Sequence, residues 1–279
     1  MQFMGIRQAE IVINGLTSSH LLRYTFHMHK YLFILVTISL LFVGCATDDF
    51  KGKTEAERLF NEALTLIDDE RYILATEKLN IIKTEHPYSF YATPAELLLA
   101  EILFKQENYI EAAAAFLLFR DFHPKHEKIA HIVYMIGESY YKQLPDTIDR
   151  DLESGFEALK YYQELIDKYP QDVKAKKAQK RITRIKKLLL DKDQYIADFY
   201  FKTEVWKAAR YWYLDIVEKN PENSALRDHS LPRVVVATAQ LKEWEACLIY
   251  AEKFVDIVSE EKRSQLSDWK KICQNQKIP

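Results

Sequence analysis

Residues 72–87 read YILATEKLNIIKTEHP, and the same frame returns three times: YIEAAAAFLLFRDFHP at 109–124, GFEALKYYQELIDKYP at 155–170 and WKAARYWYLDIVEKNP at 206–221. In each, an alanine (Ala75, Ala112, Ala158, Ala209) precedes a proline (Pro87, Pro124, Pro170, Pro221) by twelve residues. Four residues after the alanine stands Leu79, Phe116, Tyr162 or Tyr213. Three residues before it, three of the four frames carry an aromatic: Tyr72, Tyr109 and Trp206. A fifth frame is expected at Ala246, with Tyr250 four residues on and no closing proline.

Working upstream, Ala63, Ala100 and Ala197 lie twelve residues before Ala75, Ala112 and Ala209, and Gly137 takes that place in the third frame, displaced by an insertion. A helix that crosses its partner closely needs a small residue at the crossing point. A second helix that presents alanine, and a large residue one turn later, fills the space beside it. Proline lacks an N–H and bars the preceding residue from the helical region, so it ends the second helix and opens the link to the next hairpin. One hairpin buries only part of its apolar surface; stacking buries the rest. The pattern resembles the tetratricopeptide repeat. The expected fold class is all-α, an α-solenoid of about five helical hairpins.

Two departures refine this. The stretch between Gly137 and Ala158 is too long, and the excess near 143–153 contains Pro145, Asp146, Asp149 and Asp151, so an exposed loop is expected there. Residues 173–195 hold neither proline nor glycine, and Ala178, Ile182, Ile185, Leu189, Ile196 and Phe199 recur at helical spacing, which predicts one long amphipathic helix linking units three and four. Its polar face carries Lys174, Lys176, Lys177, Lys180, Arg181, Arg184, Lys186 and Lys187.

The N-terminus reads as an address. A basic start at 28–30 precedes an apolar run from Tyr31 to Val43, then Gly44-Cys45. This is the layout of a secretory signal peptide, and the run is short for a membrane-spanning helix. Leu41-Phe42-Val43-Gly44-Cys45 resembles a bacterial lipobox, which makes Cys45 the expected lipidation site; Phe42 stands where leucine is usual. Residues 1–27 fit no part of a leader, so translation is expected to start at Met28. The division expected is leader 1–44, lipidated tether 45–54, repeats one to three at 55–172, long helix and repeats four and five at 173–261, and a C-terminal tail at 262–279. Ala46, after the cysteine, is compatible with the outer membrane.

Composition narrows the function. The chain holds six glycines in 279 residues, and only Gly52, Gly137 and Gly155 follow Cys45, so neither a phosphate-binding loop nor a hairpin-rich sheet is available. No serine sits in a G-x-S-x-G elbow. A formal net charge of −2 gives no general attraction to nucleic acid. His123, His126 and His131 cluster in sequence, but capping and surface roles fit them better than a metal site, which needs four converging ligands. No catalytic residue, metal or cofactor is expected; the one covalent addition is the lipid on Cys45. Cys247 and Cys273 remain, and two free buried thiols are favoured over a disulfide.

Several stretches carry a closer resemblance: Leu59-Phe60-Asn61-Glu62-Ala63, His86-Pro87-Tyr88 with Tyr91, Tyr134-Met135 with Gly137, Asp149-Arg150-Asp151, Ala197 with Phe199-Tyr200, and Trp206 with Ala208. With five hairpins behind a lipobox and an elongated helix before the fourth, the chain resembles the BamD family, the lipoprotein component of the outer-membrane β-barrel assembly machinery. The resemblance implies a scaffold at the periplasmic face of the outer membrane. Its implied partners are a BamA-like barrel assembly protein, other assembly lipoproteins and unfolded outer-membrane protein clients, with no nucleic acid.

By repeat geometry, a peptide groove in the first three units would be lined by Phe60, Leu64, Leu97, Glu101, Phe104, Tyr134, Glu138 and Tyr141. Arg181, Arg184, Lys187, Phe199 and Arg210 are the expected docking residues of the second half. A lipoprotein of the same repeat type that scaffolds peptidoglycan synthases or hydrolases is the alternative reading.

Overall fold

The computed structural model describes residues 52–277. The leader, the expected start at Met28, Cys45 and the first part of the tether lie outside the described residues.

Eleven α-helices and no strand make up the described residues. They are α1 (Glu55–Asp68), α2 (Tyr72–Glu85), α3 (Ala92–Lys105), α4 (Tyr109–Phe122), α5 (Ile129–Lys142), α6 (Glu153–Lys168), α7 (Ala175–Lys202), α8 (Trp206–Lys219), α9 (Ser224–Gln240), α10 (Trp244–Phe254) and α11 (Glu260–Lys277). Each packs on its neighbours in the chain, and α11 also reaches back to α9. Helices α1, α3, α5, α7 and α9 are the first (A) helices of five hairpins; α2, α4, α6, α8 and α10 are the second (B) helices.

The repeat frame is visible in three local devices. The first is the crossing point: Ala63, Ala100, Gly137 and Ala197 are all buried, as are Ala75, Ala112, Ala158 and Ala209 opposite them. At Gly137 a Cβ would lie 2.9 Å from the Tyr162 ring, so only glycine admits that tyrosine. The second device is the pre-proline cap. His86, His123, Tyr169 and Asn220 end the B helices with nearly identical backbone angles (φ −127, −124, −132, −132; ψ 49, 55, 54, 57) outside the helical region. The next residues close the same turn four times, by Ser89 N–H to His86 O (3.0 Å), His126 to His123 (3.0 Å), Asp172 to Tyr169 (3.0 Å) and Asn223 to Asn220 (3.1 Å).

The third device was invisible in the sequence. Four hairpin turns place a non-glycine residue in the left-handed region: Glu70 (φ 58), Glu107 (φ 63), Glu204 (φ 60) and Lys242 (φ 60). Around Glu70 the bonds are Glu70 N–H to Ile67 O (3.1 Å) and Arg71 N–H to Leu66 O (2.8 Å), and the other three turns repeat this pattern. This is the Schellman ending, whose C′ position favours glycine.

The same device corrects the fifth frame. Lys242 precedes Cys247 by the interval that separates Glu70 from Ala75, and Trp244 precedes it as Tyr72 precedes Ala75. Cys247, not Ala246, is fully buried; its sulfur faces Val235 O at 3.8 Å, and Val235 stands twelve residues earlier at the crossing point. Ala246 is half-buried. Without a closing proline, Trp244 is the one mark in the sequence that sets this frame.

A second correction concerns residues 262–279. Most of this expected tail is helix: α11 begins at Glu260 and buries Leu266 and Cys273 in the C-terminal core. Its packing brings Cys273 to Cys247, with Cα atoms 5.9 Å apart, and the two form a disulfide instead of the free thiols expected. A tail has no register, so the sequence reading could not place the second sulfur.

The long helix is a single element of 28 residues. Ala178, Ile182 and Ile185 bury against unit three, while Ala197 belongs to the C-terminal core. The link and the A helix of unit four are thus continuous. Between α5 and α6 half of the inserted residues are exposed (Asp146, Thr147, Asp149, Arg150 and Asp151), Gln143, Leu144, Pro145 and Ile148 are half-buried, and Leu152 is buried.

Candidate functional site

The residue after each crossing point lies one step around the A helix. In units two, three and four it is acidic: Glu101, Glu138 and Asp198. Each reaches a basic group on the next A helix. Glu101 Oε1 meets His131 Nε2 at 3.2 Å. Glu138 accepts from Arg181 Nε (2.9 Å) and Nη2 (3.1 Å). Asp198 Oδ1 meets His229 Nε2 at 2.7 Å. Three polar rungs therefore join successive A helices; unit one has Leu64 at that position.

The middle rung is the most enclosed. Glu138 is 4 % exposed, and Tyr162 O–H donates to it at 2.6 Å. Burial pushes the Glu138 carboxyl up, but hydrogen bonds from Arg181 and Tyr162 and the Arg181 charge outweigh it and hold the group below the usual carboxylate range. Burial and the Glu138 charge push the Tyr134 and Tyr162 phenols far above theirs. The Arg181 guanidinium also covers the Tyr141 ring at 4.0 Å. In the next rung Tyr213 O–H donates to Asp198 at 2.5 Å, and burial together with that carboxylate raises its phenol.

The expected groove residues divide. Tyr134, Glu138 and Tyr141 come together, and they do so around Arg181, which was assigned to the second site; the two expected sites meet at the α5–α7 contact. Leu97 is buried in the core. Phe60 packs against Tyr91 (ring centroids 5.2 Å) and Phe104 against Tyr109 (5.2 Å), both half-buried. Leu64 is 39 % exposed. Glu101 keeps an accessible edge on the His131 rung.

The docking residues spread more widely. Arg184 and Lys187 are exposed on α7, in one stripe with Lys176, Lys177 and Lys180. Lys177 lies 5.4 Å from the Tyr134 centroid and Arg184 6.0 Å from that of Tyr141. Lys174 joins His131, and burial and Lys177 lower its ammonium. Phe199 is exposed with its edge on Tyr200, and Arg210 pairs with Glu243 on the opposite turn.

His123 meets Glu96 (3.0 Å) and His126 packs on Phe119, so these imidazoles point to different partners from His131. Sequence reading missed the Asp198–His229–Tyr213 rung, although the position after Ala197 was a signal for it. It also missed an open cleft of about 1260 Å³ between α8, α9 and α10, lined by Leu214, Val217, Arg227, Leu231, Tyr250 and Phe254. Among the described residues no helix is long and apolar enough to cross a membrane. The surfaces offered are aromatic, cationic and extended, suited to holding polypeptide.

Comparison with known proteins gives the setting. The family profile YfiO, described as an outer membrane lipoprotein, matches residues 53–247. Outer membrane protein assembly factor BamD of Vibrio cholerae is 28 % identical over 202 residues, spanning 69 % of this chain and 84 % of that protein. The protein of that name from Rickettsia prowazekii is 28 % identical over 191 residues (68 % and 76 %), and that from Neisseria gonorrhoeae 26 % over 196 (64 % and 73 %). Among solved structures, the TPR2AB domain of yeast Sti1 in its pHSP90 complex covers 80 % of this chain and 84 % of that one, with 15 % identity and a TM-score of 0.40.

Proposed function

The chain belongs to the YfiO family of outer membrane lipoproteins, and from that premise we propose that it is a non-catalytic scaffold in outer-membrane protein assembly, held at the periplasmic face by lipid on Cys45. The observation that carries the reading is the α5–α7 contact. There the aromatic wall of units one to three runs into the cationic stripe of α7 through one buried ion pair, so two surfaces of different chemistry share one rigid support.

In this reading, aromatic-rich client segments lie along Phe60, Leu64, Glu101, Phe104 and Tyr141. The barrel assembly protein docks on the second half, at Arg184, Lys187, Phe199 and Arg210. Other assembly lipoproteins share the complex. Aromatic and arginine side chains are the residues that most often anchor such contacts.

Photocrosslinking from Phe104 and Arg210 in intact cells tests the assignment. Unfolded outer-membrane clients are expected at Phe104 and the barrel assembly protein at Arg210. Recovery of murein enzymes at both positions, with no barrel assembly protein, refutes it. The mass of the mature N-terminal peptide reports the lipid on Cys45 independently.

A further inference from the structure

The four inter-repeat turns share one backbone, so their side chains can be compared place by place. Proline holds the second position in each: Pro87, Pro124, Pro170 and Pro221. At the third position, the tip, stand Tyr88, Lys125, Gln171 and Glu222. Three tips are polar, as exposed turns usually are; the first is a tyrosine with 102 % relative exposure. Two residues on, Phe90 is 85 % exposed. Leaving such side chains in water forgoes about 1.5–3 kcal/mol for each ring of phenylalanine size.

The pair is held in place. Phe90 meets Tyr91 edge-on at 5.6 Å, and Tyr91 packs on Phe60 at 5.2 Å, so a chain of rings ties the tip to α1. Ser89 N–H to His86 O (3.0 Å) and Ala92 N–H to Ser89 O (3.2 Å) fix the backbone. Among the described residues nothing folds over Tyr88.

Position in the array supplies the partner. The loop 86–91 lies beside the first turns of α1, because Phe60 is where Tyr91 rests. Helix α1 starts at the Thr54 cap, and the backbone N–H of Lys53 is bonded to Glu57 at 2.8 Å. Only the residues from Cys45 to Gly52 separate the lipidation site from this anchored end, a reach of at most about 29 Å at full extension. The one inter-repeat turn with aromatic tips is therefore the turn beside the start of α1, the helix that follows the tether in the chain.

We infer that Tyr88 and Phe90 form a membrane-contact finger that enters the headgroup region of the lipid bilayer beside the anchor. Tyrosine, a ring with one polar edge, is suited to that interface, and a phenylalanine beside it adds apolar area to insert. A second contact beside the lipid orients hairpin one instead of leaving the array to swivel about a single attachment. The inference rests on the lipid anchor proposed for Cys45.

The test uses the mature full chain on vesicles of phosphatidylethanolamine and phosphatidylglycerol that carry a tagged acyl chain. Photoreactive benzoyl-phenylalanine is placed at Tyr88, Phe90, Lys125 or Ile73. Ile73 is an apolar control of similar exposure (81 %) in the first turn of α2, at the other end of the hairpin. Lipid adducts are expected at positions 88 and 90, with none above background at 73 and fewer at 125. Equal labelling at all four positions overturns the inference. So does a vesicle-bound chain unlabelled at 88 and 90, or adducts there to protein alone in intact cells. If the N-terminal mass shows no lipid, the Cys45 reading fails by itself. The same positions are then read on a chain held to nickel-chelating vesicles by an N-terminal histidine tag, where the same pattern is expected and its absence overturns the finger.

Discussion

Replacing Arg181 by methionine keeps an apolar cover on Tyr141 and deletes the one cation that, among the described residues, pairs with Glu138. Two charge-assisted hydrogen bonds, at 2.9 and 3.1 Å, disappear while the Glu138 side chain stays 6 % exposed. Removing one member of a buried ion pair costs about 3–5 kcal/mol. The Tyr162 hydroxyl remains, so the lower end, about 3 kcal/mol, is expected. The double change Glu138→Gln with Arg181→Met leaves no buried charge and should recover most of that loss. Urea unfolding at 25 °C, followed by circular dichroism, measures both.

The pH dependence gives a second reading. In the parent chain the folded Glu138 carboxyl lies below its ordinary value, so its contribution is present at neutral pH and lost as pH falls through the folded value. In Arg181→Met, burial is opposed by the Tyr162 hydroxyl alone and the group moves up. An acid raised in the folded state destabilises it increasingly as pH rises above the ordinary carboxylate value of about 4.3. The deficit should therefore be large near neutral pH and shrink towards about pH 4. A cost below about 1 kcal/mol, the range of an exposed pair, refutes the reasoning. A cost equal at both pH values does so too.

Glycine at Glu70, Glu107, Glu204 or Lys242 relieves the left-handed backbone and should raise stability by roughly 0.5–1 kcal/mol each; unchanged or lower melting temperatures count against the Schellman assignment. Reducing the Cys247–Cys273 disulfide should cost roughly 3 kcal/mol and expose α11 first, seen as early proteolysis beyond Phe254. Gly137→Ala drives a Cβ to 2.9 Å from the Tyr162 ring and should cost about 1–3 kcal/mol by thermal melting, whereas Gly155→Ala, with contacts at 3.2 and 3.3 Å to flexible methyl groups, should cost less.

Constraints that act within a few residues were the ones legible in the sequence. Proline at 87, 124, 170 and 221 forbids the helix to continue, and alanine at the crossings admits a neighbour, so both leave a mark at fixed spacing. The absence of proline and glycine in 173–195 announced α7 in the same way. Choices settled by distant neighbours left no such mark. Arg181 is one cation among the eight from Lys174 to Lys187, and only the buried Glu138 carboxylate facing it from α5 singles it out. Ala246 and Cys247 are both small, so the fifth frame slipped by one residue, although Trp244 stood at the right distance from Cys247. Glutamate and lysine at left-handed turns conceal a conformation that glycine would have advertised.

The unbroken α7 has a mechanical consequence. At every other boundary between hairpins the chain passes through a proline-capped turn, a place where neighbouring units can flex at small cost. Between units three and four there is additionally a rod about 42 Å long, seated in both halves. Bending there means breaking backbone hydrogen bonds in mid-helix. A pull applied to the C-terminal hairpins is thus passed to the N-terminal ones as displacement and not absorbed as slack. The natural place to cut this chain into two folding pieces is not between repeats three and four, because neither piece would own the rod.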